Sequence, residues 1–158
     1  MKECAGRSCL GKSAPFRFLH VLPHIAAAGP ASRLALTFRC MTTRIVPLAA
    51  NLAFEVSTPA LDRLIDGSPQ QSVSNAFTDS TGQFFAGRWS STRGKWRVRY
   101  TENELCVMMA GRVILTGDDG AVNSFGAGDA FVVPAGFSGT WEVVVDCTKI
   151  YAIFEKLT

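Results

Sequence analysis

The sequence predicts an all-β fold, a jelly-roll barrel of antiparallel strands with one short helix ahead of it. Three observations predict it. From Trp96 to Trp141 the chain runs as short alternating segments broken by Gly, Asp, Asn and Pro at intervals of roughly ten residues. No segment in that stretch repeats with helical period. The segments of the whole chain number about eight, which is the strand count of a jelly roll.

Length and composition bound what such a chain can do. With 158 residues, 47% apolar and 18% charged, it has material for one domain with a core. The net charge of +3 is unevenly placed. Residues 1–40 hold Lys2, Arg7, Lys12, Arg17, Arg33 and Arg39 against Glu3 alone, and the remainder has 12 acidic against 10 basic side chains. A mildly acidic domain lacks the clustered basic face that a phosphate backbone requires, so no nucleic-acid partner is expected. No apolar run is long enough to span a membrane. Of the five cysteines only Cys106 and Cys147 fall after residue 40, too few for a disulfide framework, and this points to a reducing compartment, the cytoplasm. Both histidines, His20 and His24, lie before residue 41.

Residues 1–40 show no sustained period and read as a disordered or non-native extension, with a targeting segment and a functional basic tail as alternatives. Residues 41–158 read as a single domain, the barrel occupying about 81–156. Val46 to Val56 is apolar and unpatterned, a lead-in lying against the barrel. A short helix is expected next: Thr58 to cap it, Pro59 in the first turn, Leu61, Leu64 and Ile65 on one face, and Gly67 to end it. Gly67 to Ser80 reads as a polar surface loop. The sheet is expected to start at Thr81. Trp96, Val98 and Tyr100 then share one strand face and Arg97 and Arg99 the other. Glu104 to Met109 is apolar on both faces, which predicts a strand covered on both sides, in a two-sheet roll or at a subunit contact. Asp118-Asp119-Gly120 is a hairpin signal. Ala121 to Phe125, Ala130 to Val133, Thr140 to Val145 and Thr148 to Phe154 supply the last strands.

Several runs carry a family resemblance. Gly94 to Glu104 followed by Gly111, then Gly128-Asp129-Ala130-Phe131, Pro134-Ala135-Gly136-Phe137, Gly139-Thr140-Trp141-Glu142 and Lys149-Ile150-Tyr151 together resemble the cupin superfamily, in the branch related to ureidoglycine aminohydrolase and the ethanolamine-utilisation cupin. The resemblance covers Phe85 to Phe154 and implies the cupin double-stranded β-helix. It also implies a metal site of two histidines and a glutamate in the first motif and one histidine in the second. Those positions here hold Val98, Tyr100, Glu104 and Gly139. One ligand of four is too few to hold a transition ion, so no metal and no cofactor are expected.

With the imidazoles gone, the barrel mouth is expected to be lined by Trp96, Tyr100, Glu104, Cys106, Met108 and Trp141, an aromatic pocket suited to a small organic ligand. Glu104 is the candidate acid or base, desolvated by the rings and hydrogen-bonded by Tyr100. Plainer readings stand beside these: Glu104 as a satisfied buried polar group, Cys106 and Met108 as core fillers, and both tryptophans as packing. Lys149 reads best as a surface partner of Glu142, with a place beside Glu104 as the alternative. The function expected is metal-independent binding of a small molecule by a homodimer of this family. The alternatives are an aminohydrolase or isomerase acting on a small ureido, amino or sugar-like metabolite, and a dimeric structural cupin without catalysis.

Overall fold

A computed structural model describes residues 44–50 and 53–156. Among the described residues there are nine strands, β1 (Glu55–Ser57), β2 (Leu64–Gly67), β3 (Gln71–Thr78), β4 (Phe84–Ser91), β5 (Gly94–Arg99), β6 (Asn103–Gly117), β7 (Val122–Gly126), β8 (Ala130–Val133) and β9 (Ser138–Phe154), and no helix. All pairings are antiparallel. The expectations for residues 1–40 lie outside the described residues.

Two long strands organise the sheet. β9 runs beside β6 along nearly its whole length, and its other edge is divided between β5, opposite residues 138–143, and β4, opposite residues 147–154. β6 divides its outer edge in the same way, Glu104 to Val107 facing β8 and Arg112 to Thr116 facing β7. Register shifts between Met108 and Val113 let both strands bend. Each long strand thus belongs to both layers, and the sheet curls into an all-β roll as predicted. Segments read as separate strands, Thr140–Val145 and Thr148–Phe154, are halves of one, β9, and Glu104–Met109 is the first half of β6. Gly111 marks the bend: its φ is +79°, and a Cβ there would stand 2.3 Å from the Asp146 carbonyl oxygen.

Three expectations for the chain before residue 81 are corrected. The helix over Thr58–Gly67 is a single turn, with the Arg63 and Leu64 N–H groups donating to the Ala60 carbonyl, followed by β2, which pairs with β5. Leu61 is 88% exposed, so the apolar face that argued for a helix has nothing to cover, while Leu64 gains a cross-strand place opposite Trp96. Gly67 does take the left-handed conformation, at φ +78°, but ends a strand rather than a helix. Gly67 to Ser80 is not a loop, because Gln71–Thr78 is β3, whose Gln71, Val73 and Ser74 are buried. The sheet therefore begins well before residue 81. The hairpin expected at Asp118-Asp119-Gly120 joins β6 to β7, with Gly120 at φ +85°. No helix among the described residues is long and apolar enough to cross a membrane.

The interior is aromatic. Trp89 lies 5.8 Å from Trp141 and 6.3 Å from Trp96, ring centre to ring centre, and Phe131 stacks on Phe125 at 3.8 Å. Arg97 and Arg99 are exposed on the opposite face of β5, where Arg97 pairs with Asp118 at 2.8 Å. Among the described residues nothing covers the outer face of β6, where Leu105 and Met109 are 44% and 48% exposed, which leaves the subunit contact of the two covers expected for this strand.

Candidate functional site

Inward-facing positions on β9 recur every second residue, and between Cys147 and Ile153 they are Cys147, Lys149, Tyr151 and Ile153, all buried. Lys149 is the only charged member. On the paired strand β6 the inward positions are Glu104, Cys106 and Met108, with Met108 opposite Lys149 and Cys106 opposite Tyr151. A lysine stem is long enough to reach back across two such rows. The Lys149 ammonium donates to Glu104 Oε1 at 2.8 Å and to Cys106 Sγ at 3.3 Å. Its nitrogen also sits 4.4 Å from the Trp141 ring centre and 5.1 Å from that of Trp89. The expected surface pair between Lys149 and Glu142 is therefore corrected. Glu142 pairs instead with Lys95, its register partner, at 2.9 Å.

Side chains of Lys149 and Glu104 are 2% and 0% exposed. Two charges brought so far from water persist only when each compensates the other. Burial works against the ammonium, yet the Cys106 sulfur and the Glu104 carboxylate beside it push Lys149 up to about 12. The carboxylate is the partner that matters at neutral pH, because burial also pushes the Cys106 thiol up to about 12 and keeps it protonated. A protonated thiol is a poor nucleophile, so Cys106 serves as packing and as an acceptor for the ammonium. Burial, then the Glu104 charge, pushes the Tyr100 hydroxyl well above its ordinary value, which leaves it neutral. Tyr151 moves the same way, by burial first, and its hydroxyl shares a 3.1 Å hydrogen bond with the Asn75 side chain.

All six residues expected at the barrel mouth, Trp96, Tyr100, Glu104, Cys106, Met108 and Trp141, are buried and face the interior. They do not all line one space. Trp96, Tyr100 and Trp141 line a small cavity with Lys149, Trp89, Val98 and Gln71, and its volume is about 10 Å³, room for about one water. Glu104 and Cys106 stand behind Lys149 and reach that cavity through it. Sequence reasoning missed Trp89, Gln71 and Glu102 and misplaced Lys149. For Gln71, Trp89 and Lys149 the signal was the two-residue alternation of β3, β4 and β9, hidden in part by reading β3 as a loop; Glu102, in a turn, had no such signal. Glu102 is 2% exposed in the turn before β6, where Thr101 donates to it through its N–H at 2.7 Å and its hydroxyl at 3.0 Å; burial outweighs these and lifts its carboxyl to about 7.

Residues 78–151 match the EutQ-like cupin domain. That stretch is a cupin domain. No curated protein matches the chain. Among solved structures it is similar to a DUF861-family protein of unknown function from Pseudomonas syringae pv. tomato DC3000, at 26% identity over 67% of this chain and 46% of that one, with a TM-score of 0.62. It is similar in fold to the EutQ protein of Clostridium difficile, at 16% identity over 54% of this chain and 63% of that one, with a TM-score of 0.50. The cupin domain thus spans less than two thirds of either protein's length.

The metal that the family resemblance implies does not fit this cupin's residues. Val98 and Tyr100 are buried at the first two ligand positions and carry no imidazole. At the last, a Cβ on Gly139 would lie 2.1 Å from the Thr116 carbonyl oxygen, so no histidine can stand there without moving β6. Among the described residues no three His, Cys, Asp or Glu side chains converge. The remaining ligand, Glu104, already neutralises an ammonium that would repel a second cation.

Proposed function

We propose that this cupin binds a small polar molecule without a metal, and that the Lys149 ammonium supplies the positive charge at the bottom of the roll. The observation that carries the reading is the placement of Lys149: fixed by Glu104 and Cys106 from behind, it faces the ring planes of Trp89 and Trp141 and the cavity they share with Trp96 and Tyr100. A desolvated ammonium held by its own counter-ion is a preorganised partner for an acceptor, and aromatic walls supply contact area at little entropic cost. Carboxylates, amides and ureido groups have that chemistry. The motif resemblance to the ureidoglycine aminohydrolase branch supports this reading.

A thermal-shift screen of small carboxylates, amides and polyols, each with and without chelator, tests it. A ligand at a hundred times its Kd stabilises the native state by about 2.7 kcal/mol. The expected result is a shift that survives chelation and is lost in Lys149→Met. A shift produced by manganese, nickel, zinc or iron overturns the reading, as does a ligand shift that Lys149→Met keeps in full.

One observation favours a second reading. A cavity of about 10 Å³ is far below the roughly 300 Å³ of ordinary ligand pockets. In this reading the ion pair is structural, and the function lies in assembly through the exposed apolar face of β6.

A further inference from the structure

Three side chains around the inner cavity carry polar groups with no partner among the described residues. Lys149 has three N–H donors; two serve Glu104 Oε1 and Cys106 Sγ, and one is left. Trp141 Nε1 is buried and has no acceptor. Gln71 is 5% exposed, and no described group hydrogen-bonds its carboxamide. Buried polar groups are almost always hydrogen-bonded, so three of them around one small space point to one shared partner.

The strands explain why they meet. Trp141 projects inward from the first half of β9, opposite Trp96 and Leu115. Lys149 projects inward from the second half, beyond the bend, in a row with Val73 and Trp89. The neighbouring inward row is Gln71, Ser91 and Cys147, in which only Gln71 is long enough to reach over toward Lys149. What these side chains enclose has a volume of about 10 Å³, the room that one water needs. Water fits in kind as well as in size. Its two lone pairs can accept from the Lys149 and Trp141 N–H groups, and one O–H can donate to the Gln71 carbonyl. Three hydrogen bonds are the usual complement of a buried water.

We propose that the cavity is a socket for a single oxygen atom, which holds one ordered water in the free protein, and that a small carboxylate replaces that water with one of its own oxygens. The second half of the proposal relies on the reading of Lys149 as a ligand-facing cation; the first half does not. A carboxylate oxygen accepts the same two N–H groups, and its bond to the ammonium is charge-assisted on both sides. Gln71 lets one socket serve both occupants, because its carboxamide can present either a carbonyl to the water or an NH2 group to the carboxylate.

The indole N–H of Trp141 reports on the socket directly. Trp141→Phe identifies its proton resonance among those of the chain's three tryptophans. In wild type that proton is expected to show an Overhauser cross-peak to water with the sign of a bound, slowly exchanging molecule. Oxygen-17 relaxation dispersion is expected to count about one long-lived water fewer in Gln71→Met and in Trp141→Phe than in wild type. Equal counts, or no cross-peak, overturn the socket and give the N–H to the face of the Trp89 ring, which stands near-perpendicular at 5.8 Å. If Gln71→Met loses its fold, Trp141→Phe decides by the same count.

Formate, the smallest carboxylate, is the probe for the second half. In excess it is expected to remove the water cross-peak, to replace it with one from the formate proton, and to do neither in Lys149→Met with Glu104→Gln. A water that formate leaves in place, beside a Lys149-dependent shift in the ligand screen, overturns the replacement and keeps the cation. The same water beside a failed screen removes both and leaves the water a structural part of the ion pair's surroundings. A failed count beside a successful screen removes the socket and keeps Lys149 as the cation.

Discussion

At the scale of the residue, the buried pair of Lys149 and Glu104 decides most of what this protein can do. Removing one partner leaves the other charged in a place where water cannot reach it, a loss of about 3–5 kcal/mol, whereas removing both costs far less. Lys149→Met should therefore lower urea-derived stability by about that amount, and Lys149→Met with Glu104→Gln should recover most of it. A single-variant loss of only a few tenths would mean that the pair is solvated. Glu102 gives a separate pH signature. Its carboxyl stands at about 7 in the fold against 4.5 ordinarily. Between those values the native state holds the proton more tightly than the unfolded chain, so stability is full below pH 4.5 and falls as pH rises to about 7. The integrated loss is at most roughly 3 kcal/mol. Wild type should lose melting temperature from pH 5 to pH 8 and Glu102→Gln should lose less; parallel curves would contradict the assignment. Neither residue was legible by type alone, since lysine and glutamate are almost never fully buried unless paired. The legible part was position: Lys149 shares its strand face with Cys147, Tyr151 and Ile153, and that alternation outweighs the expectation that charge is solvated.

Elements show where reading by pattern succeeds and where it stops. From Phe84 to Phe154 most segments alternate because one face packs on the aromatic interior, and there the strands were legible, though not the continuity of β6 and β9 or the place of Lys149. Upstream of them, Leu61, Leu64 and Ile65 fit a helical face as well as they fit a turn and an edge strand, and only the partner, β5, settles it. Continuity was also hidden: Gly111 looks like a turn but works as a bend inside β6, because a pairing partner on β9 carries the ladder past it. The loss of the last metal-ligand position belongs to this scale too. Gly139 sits where β9 crosses β6 at backbone contact, opposite Gly117. Restoring the imidazole with Gly139→His should therefore not restore an ion. The expected outcome is a destabilised protein, by about 1–3 kcal/mol or more from overpacking, with no thermal shift on adding zinc or nickel. Stable protein that gains a metal-dependent shift would show that the backbone contact is not what excludes the ligand.

For the whole molecule, the same alternation that builds the interior leaves an apolar surface. The outward positions of β6 are Leu105, Val107 and Met109, and beside them stand Val132 of β8, opposite Leu105, and Ala152 and Ile150 of β9. Leu105, Met109 and Val132 are 44%, 48% and 60% exposed, and Phe154 at the end of β9 is 49% exposed. Single exposed apolar residues need no explanation, but a contiguous sheet face of them is unusual on a monomer. A second copy is the simplest cover, because a flat sheet face is self-complementary about a two-fold axis and needs no other partner. The homodimer expected from the doubly apolar strand is thus proposed for this face. Light scattering on the purified chain should give twice the chain mass at micromolar concentration, and Leu105→Lys with Val132→Lys should give the monomer while near-ultraviolet circular dichroism keeps the signal of the buried tryptophans. The double substitution acts outside the roll, so ligand shifts that depend on Lys149 should survive it. A wild-type monomer, or a dimer indifferent to both lysines, would move the interface away from β6 and leave the apolar face without a function.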